Sequence, residues 1–252
     1  MCELMYSEMQ KNKADVVMCD YMKEFSDKTK QNHTYDSDLY FSKDEVYHKL
    51  YRRMIGLYED ELSQPEKADN LCTIWAKLYK RNIIEENNIR FYDIRKIGTY
   101  EDGLFNLDVF KCSSSAFYVA KGLYHYRKDN GNSITTIQNK NIQAQHEKIH
   151  DYMLDYIDKY QLSDEFSAAL KNRIALELLG YGLNIIGNDE NSIKKIKEIK
   201  KIIINDRYKR AYKQLKIEYM PIHWKVFYGC AKLGFASGVY MLLICIKRMI
   251  GR

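Results

Sequence analysis

Gly98-Thr-Tyr-Glu-Asp-Gly-Leu-Phe-Asn106 is the stretch on which the reading of this chain turns, together with the later Tyr124-His-Tyr-Arg127. The pair Glu101-Asp102 stands just ahead of an apolar periodic run, so the segment reads as a helix from Glu101 to about Lys111 with both carboxylates in its first turn. The partial positive charge of a helix N-terminus favours them there. Thr99-x-x-Asp102 also fits a capping box, which would leave Asp102 bonded to backbone N–H groups. Downstream, residues 117–123 and 124–127 read as extended chain broken at Gly122, and Asp129-Asn-Gly-Asn132 reads as a turn.

Working outward, residues 2–11 form an amphipathic helix and Ala14 to Cys19 a buried strand that ends at Asp20-Tyr21, an αβ step. Residues 22–41 are polar without steady period and read as a loop or variable insertion. Ser42-Lys-Asp-Glu45 is a capping-box start for a helix to about Tyr58, and Pro65 punctuates the next loop. Thr73 to Tyr79 suits a strand or a strand-to-helix junction, with a short helix near Ile83 to Asn87. Beyond a domain boundary placed near 137–142 the pattern becomes helical. Gln143 to Tyr160 is one helix, and Ser163 caps another that repeats Phe166, Leu170, Ile174, Leu178, Tyr181 and Ile185 on one face before Gly187-Asn188.

With 252 residues and 46% hydrophobic content the chain can bury a core, as one large domain or two small ones. Six cysteines at 2, 19, 72, 112, 230 and 245 show no Cys-x-x-Cys pair, so neither a zinc knuckle nor a redox dithiol is indicated. Reduced thiols and the lack of a charged-then-apolar leader at the start lead to the expectation of a cytoplasmic chain. The net charge of +6 conceals an asymmetry. Residues 191–252 hold 15 Lys/Arg against 3 Asp/Glu, and residues 1–190 hold 25 against 31. The basic character belongs to the tail.

Ile74-Trp-Ala-Lys-Leu-Tyr-Lys-Arg81, Asn88-Ile-Arg-Phe91, Glu101-Asp102, the Tyr-His-Tyr-Arg strand and Ser133-Ile-Thr-Thr136 occur in an order that resembles the second half of a family 2 glycosyltransferase of the GT-A type, the bacterial kind that builds cell-surface polysaccharides. The resemblance covers roughly residues 1–136. It implies an α/β fold: an incomplete GT-A domain lacking its N-terminal Rossmann-like half (residues 1–140, acceptor side), followed by a mainly α-helical extension (141–252). The nucleotide-binding half of that family carries an Asn-Asp-Gly-Ser turn and an Asp-x-Asp motif ahead of this stretch; no Asn-Asp-Gly-Ser occurs here, and the one Asp-x-Asp triplet, Asp36-Ser-Asp38, lies after residues 1–9 within the polar stretch 22–41 and not ahead of them. Residues 1–9 resemble the helix just after the Asp-x-Asp strand, which would make Met1 an internal methionine taken as a start and the chain a truncated one.

Inverting sugar transfer needs a base for the proton of the acceptor hydroxyl and a cation for the charge on the departing diphosphate. The resemblance assigns the first task to Asp102, with Glu101 as its neighbour positioning acceptor or backbone. It makes His125 a ligand of the divalent cation, Mn²⁺ or Mg²⁺. A single imidazole cannot hold such a hard cation, so coordination in this chain is incomplete. As an isolated histidine between tyrosines, His125 equally fits a packed strand residue. Arg127, on the same strand face, contacts a phosphate or is solvated. Trp75 and Lys77 fall where complete members line the acceptor side; a tryptophan in an apolar run also suits a core.

His146-Glu-Lys-Ile-His150 matches His-Glu-x-x-His, the zinc-binding pattern of metallopeptidases, with Glu165 and Glu177 as available third ligands. The charged Lys148 and Asp151 favour a solvated helix face instead. In the tail, Ser192-Ile-Lys-Lys-Ile-Lys-Glu-Ile-Lys-Lys-Ile-Ile-Ile204 interleaves isoleucine with lysine, as a helix lying on an anionic bilayer does. The apolar run from Trp224 to Ile246 contains Lys232, and its uncharged part from Leu233 is too short to span. The tail therefore points to peripheral attachment at the inner face of the cell membrane, or to packing on the domain. Lysines alternating with isoleucines and not with stacking aromatics argue against nucleic acid.

The partners this implies are a nucleotide-sugar donor, a saccharide or lipid-linked acceptor, the membrane surface and a complementary N-terminal half. The competing reading is a non-catalytic remnant or accessory chain that binds acceptor, membrane or a separate nucleotide-binding subunit.

Overall fold

A computed structural model describes residues 1–127 and 141–250. The expected turn at Asp129 to Asn132, the segment Ser133 to Thr136 and most of the boundary expected at 137–142 lie outside the described residues. The chain divides into two compact units, Met1–Met54 with Asp69–Thr136, and Ile55–Ala68 with Ile137–Arg252.

The first unit opens with α1 (Cys2–Asn12), which buries Met5 and Met9 and closes on Lys13 in the left-handed region. It feeds β1 (Val16–Glu24). β2 (Thr29–Asn32) and β3 (Leu39–Phe41) follow, then β4 (Lys77–Tyr79) and the long β5 (Ala116–Arg127). The strand order is β2-β1-β5-β3, with β4 also on β1. β1 and β5 run parallel, which requires a crossover, and here it is made by the helices between them. β2 and β4 pair antiparallel with the far and near ends of β1, and β3 pairs antiparallel with the start of β5. Val17, Cys19, Phe117 and Val119 form one core with Met5, Met9, Ala14 and Ala76.

Two expectations need correction. The polar stretch 22–41 is not all loop, because β1 continues to Glu24 and the segment supplies β2 and β3. Its strands lie at sheet margins and, Phe41 apart, carry exposed or half-buried side chains, so they lack the apolar alternation that marks a strand in sequence. Nor does Gly122 interrupt β5. The strand passes it through register shifts opposite Cys19, Asp20 and Tyr21.

The Ser42–Glu45 capping box is present and opens α2 (Lys43–Glu45). The helix then loosens into a π-helical turn at Val46–Tyr51 and returns to α-geometry in α3 (Arg52–Ile55). α4 (Arg81–Glu86), α5 (Ile94–Ile97) and α6 (Glu101–Cys112) complete this unit.

The second unit is helical: α7 (Ile142–Lys159), α8 (Asp164–Leu176), α9 (Leu178–Ile186), α10 (Ser192–Ile204), α11 (Asp206–Gln214), α12 (Ile222–Lys232) and α13 (Ala236–Ile250). The single helix expected after Ser163 is two, parted at Glu177. The apolar side of α10 is not free: Ile199, Ile202 and Ile203 are buried, and the helix packs on α9, α11 and α13. The same isoleucine spacing that suits a bilayer suits a protein core. Among the described residues no helix is long and apolar enough to cross a membrane.

Candidate functional site

α6 is the hub on which the separate sequence blocks meet. Its N-cap is Tyr100, held in the left-handed region at φ 66°, and the residue makes no side-chain cap. The Tyr100 hydroxyl instead donates to Met54 O at 2.8 Å. Its ring lies where a Cβ on Gly103 would come within 2.2 Å, which is a packing reason for a glycine directly after Glu101-Asp102. Thr99 is therefore not the cap that the sequence spacing predicts. Asp102 reaches out of the helix, and its Oδ2 accepts the Ile74 N–H at 3.2 Å.

One turn further on, Asn106 is fully buried and reinforces that link. Its Nδ2 donates to Cys72 O at 3.0 Å, Thr73 O at 3.2 Å and Asp102 O at 2.8 Å, while its Oδ1 accepts the Tyr79 hydroxyl at 2.9 Å. Phe91 stacks on Phe105 at 4.3 Å, and Tyr79 meets the same ring edge-on. The blocks at 74–81, 88–91 and 101–106 thus converge through Asp102, Phe105 and Asn106, at positions i, i+3 and i+4 of one helix.

The electrostatics follow from burial beside a carboxylate. Lys77 is half-buried, donates to Thr73 O, and is pulled by desolvation down to about 8, against the opposing influence of Cys72 and Asp102. Burial, with the charge of Asp102, holds the Tyr79 phenol well above its ordinary range. Asp102 itself is half-buried, and among the described residues its Oδ1 makes no hydrogen bond. Glu101 beside it is also half-buried.

Trp75 stacks on Tyr124 at 4.7 Å and Tyr126 at 5.1 Å, with Tyr21 edge-on at 4.7 Å. This aromatic group ties the segment after Ile74 to β1 and β5. Strand alternation puts His125 and Arg127 on the opposite face from Tyr124 and Tyr126. There His125 is exposed and its Nδ1 lies 2.6 Å from Glu24 Oε1; Arg127 is exposed. Bonds from Thr29 and then His125 hold the Glu24 carboxyl below its usual range. The structure therefore brings Asp102, Glu101, Trp75 and Lys77 into one neighbourhood and sets His125 and Arg127 on the other side of the sheet from Trp75. His125 and Glu24 supply two ligating groups. Among the described residues no cluster of three His, Cys, Asp or Glu could hold a metal ion.

Sequence reasoning missed Tyr79, Asn106 and a second network at Asp20. That carboxylate, 1% exposed at the β1 register shift, accepts from the Tyr118 hydroxyl, from Thr34 N at 3.2 Å and from Gln31 at 3.4 Å, and pairs with His33 Nδ1 at 2.8 Å. Burial and the Asp20 bond push the Tyr118 phenol up. For Asn106 the available signal was its i, i+4 spacing from Asp102. For Asp20 it was a charged residue inside an apolar run.

The His-Glu-x-x-His pattern resolves into a different arrangement. His146 Nδ1 and His150 Nε2 both close on Glu177, at 3.3 and 2.8 Å, and the Tyr181 hydroxyl donates to the same carboxylate at 2.6 Å. Glu147 turns away to Gln143 and Tyr208. Burial pushes the Glu177 carboxyl up, but the hydrogen bonds and charges of His146 and His150 outweigh it and hold it below the usual range. The histidines fasten α7 to the α8–α9 junction.

No protein-family model matches the chain. It is 26% identical over 223 residues to the uncharacterized glycosyltransferase EpsJ of Bacillus subtilis strain 168, covering 87% of this chain and 60% of that protein. It is 39% identical over 87 residues to the glycosyltransferase GlyA of Streptococcus pneumoniae serotype 4, covering 33% of this chain and 11% of that protein. Among solved structures it is similar to residues 1–349 of S. aureus TarS in complex with UDP-GlcNAc, with a TM-score of 0.55 at 10% identity, covering 98% of this chain and 63% of that one. The chain thus spans about 60% of the length of EpsJ. By sequence it is similar to proteins named glycosyltransferases, and by its α/β fold it is similar to TarS.

Proposed function

We propose that this chain carries the acceptor side of an inverting glycosyltransferase of family 2, GT-A type, in which Asp102 is the general base. The acceptor hydroxyl oxygen attacks the anomeric carbon of a nucleotide-sugar from the face opposite the leaving group. Its proton passes to Asp102, and the nucleoside diphosphate departs with the electron pair of the broken glycosidic bond.

The observation that carries this reading is the state of Asp102. One oxygen is fixed by the Ile74 N–H and the other has no hydrogen bond among the described residues, on a half-buried side chain beside Lys77. A base needs a fixed position and a free lone pair, and this carboxylate has both. Glu101 flanks it, and the Trp75 aromatic group next to Ile74 forms an apolar wall of the kind on which sugar faces rest. The similarity to proteins named glycosyltransferases, EpsJ and GlyA, and the UDP-GlcNAc bound to TarS support a nucleotide-sugar donor; the acceptor in this reading is a saccharide or a lipid-linked one of surface-polysaccharide synthesis. The donor-binding half is assigned to segments outside these 252 residues, since the chain spans about 60% of EpsJ and 63% of the TarS chain and holds no Asn-Asp-Gly-Ser turn. His125 with Glu24 offers too few ligands for a hard cation that wants about six oxygens.

The test is transfer by the protein as the cell makes it. Asp102→Asn should lower kcat by roughly a hundredfold to ten-thousandfold, with the acceptor KM and the unfolding midpoint little changed. A wild-type rate in Asp102→Asn would exclude Asp102 as the base.

A further inference from the structure

The helical unit presents an apolar face that the buried isoleucines of α10 do not account for. Along α12, Ile222 is 75% exposed and Val226 48%, and the stripe runs on at helical spacing past Gly229 to Leu233, 85% exposed, and Phe235, 58% exposed. The opposite side of α12 buries Trp224, Phe227, Tyr228 and Ala231. The helix is thus apolar on both sides, and only one has a partner within the unit. Leu233-Gly234-Phe235 forms the turn into α13, and its backbone is fixed by Lys200, whose Nζ donates to Gly234 O at 2.7 Å. A cation therefore stands at the base of two exposed hydrophobic side chains. Lys225 and Lys232 flank the stripe, and beyond Glu218 the sequence has five Lys/Arg and neither Asp nor Glu.

We propose that the α12 stripe and the Leu233–Phe235 turn form a docking face for an anionic lipid surface, with Leu233 and Phe235 entering the headgroup boundary and Lys200 and Lys232 meeting the phosphates. Exposed apolar side chains flanked by Lys200, Lys225 and Lys232 match a negatively charged bilayer. They match a second copy of the same face poorly, because two-fold association sets each patch against itself and opposes like charges. The inference stands apart from the sugar-transfer reading and does not use Asp102.

Cosedimentation of the full chain with vesicles tests it, comparing pure phosphatidylcholine with an equal mixture of phosphatidylcholine and phosphatidylglycerol. Wild type should bind the mixed vesicles and not the neutral ones. Leu233→Ser with Phe235→Ser should weaken binding at least about tenfold, and Lys200→Gln with Lys232→Gln also at least about tenfold at low salt. The exposed Leu233 and Phe235 make the first variant a fair test, with an unchanged unfolding midpoint as its check on folding. Asp102→Asn should bind vesicles like wild type, which separates a failure of this inference from a failure of the catalytic one. Undiminished binding by the Leu233/Phe235 variant, equal binding to neutral vesicles, no binding at all, or a lipid-independent dimer abolished by the same substitutions would overturn it.

Discussion

Lys77 and Asp102 are the pair whose charges decide the chemistry of the site. Lys77 is drawn out of water next to a carboxylate, and desolvation takes its ammonium from the ordinary 10.5 to about 8. The unfolded chain therefore holds this proton over a window in which the native protein has released it. The stability of the wild type should rise with pH between about 8 and 10.5 relative to a variant without the group, because there the unfolded state binds more protons. Melting midpoints of wild type and Lys77→Met, compared across that range, should diverge in favour of the wild type as pH increases. A constant difference would show that Lys77 is not desolvated. The sequence carried Lys77, Trp75, Glu101 and Asp102 as candidates because their spacing resembles a family pattern. The desolvation of Lys77 was invisible there, since it depends on how the folded chain covers the ammonium in three dimensions.

α6 shows what one element can hold. Asp102 and Asn106 lie one turn apart, so both face the Cys72-Thr73-Ile74 segment and together accept or donate three of the hydrogen bonds that fix it. Asn106→Ala leaves two buried backbone carbonyls and the Tyr79 hydroxyl without this partner, at a cost of about 1–3 kcal/mol for each group left unsatisfied. Asn106→Ala should therefore destabilise the protein by several times more than an exposed substitution and slow transfer, because the segment that positions Asp102 loosens. A chemical-denaturation midpoint identical to wild type would refute the clamp. Helix α6 was legible from its apolar run and acidic first turn. Its cap was not, since Thr99 has the right spacing and Tyr100 wins by a backbone conformation that spacing does not encode. The α7 pattern shows the same limit from the other side. His146 and His150 share a helix face, but that face is not the solvated one read from Lys148 and Asp151: His150 is buried, and the α8–α9 junction brings Glu177 onto both histidines as a partner. Glu177→Gln should destabilise the protein near neutral pH by about 1–3 kcal/mol, because it removes the carboxylate on which His146, His150 and the Tyr181 hydroxyl converge. The penalty should shrink as pH falls below 4.5, because a depressed carboxylate contributes only where it is ionised.

At the scale of the whole molecule the chain passes from the sheet unit to the helical unit in the middle of the sequence and returns. Residues Ile55–Ala68 belong with the C-terminal helices. Periodicity extended the helix from Ser42 to about Tyr58 and gave no sign of this excursion, because the contacts that hold it are backbone contacts to residues more than a hundred positions away. Asn172 donates to Leu57 O at 2.9 Å and Arg173 to Ile55 O at 2.5 Å, both from α8. Between them Gly56 lies so close to α8 that a Cβ would come within 2.2 Å of Ala169 O and 2.9 Å of its carbonyl carbon. Backbone on both sides leaves no flexible side chain to give way, so Gly56→Ala must separate the segment from the helix and break those two bonds. The expected loss is about 3 kcal/mol or more, the sum of overpacking strain and a lost buried bond. Gly180, on the exposed side of α9, is the control: a Cβ there meets nothing within 4 Å, and Gly180→Ala should raise stability by roughly 0.5–1 kcal/mol through helix propensity. The same substitution should thus move the unfolding midpoint in opposite directions at the two sites. If Gly56→Ala unfolds at the wild-type midpoint, the central segment is not seated on α8.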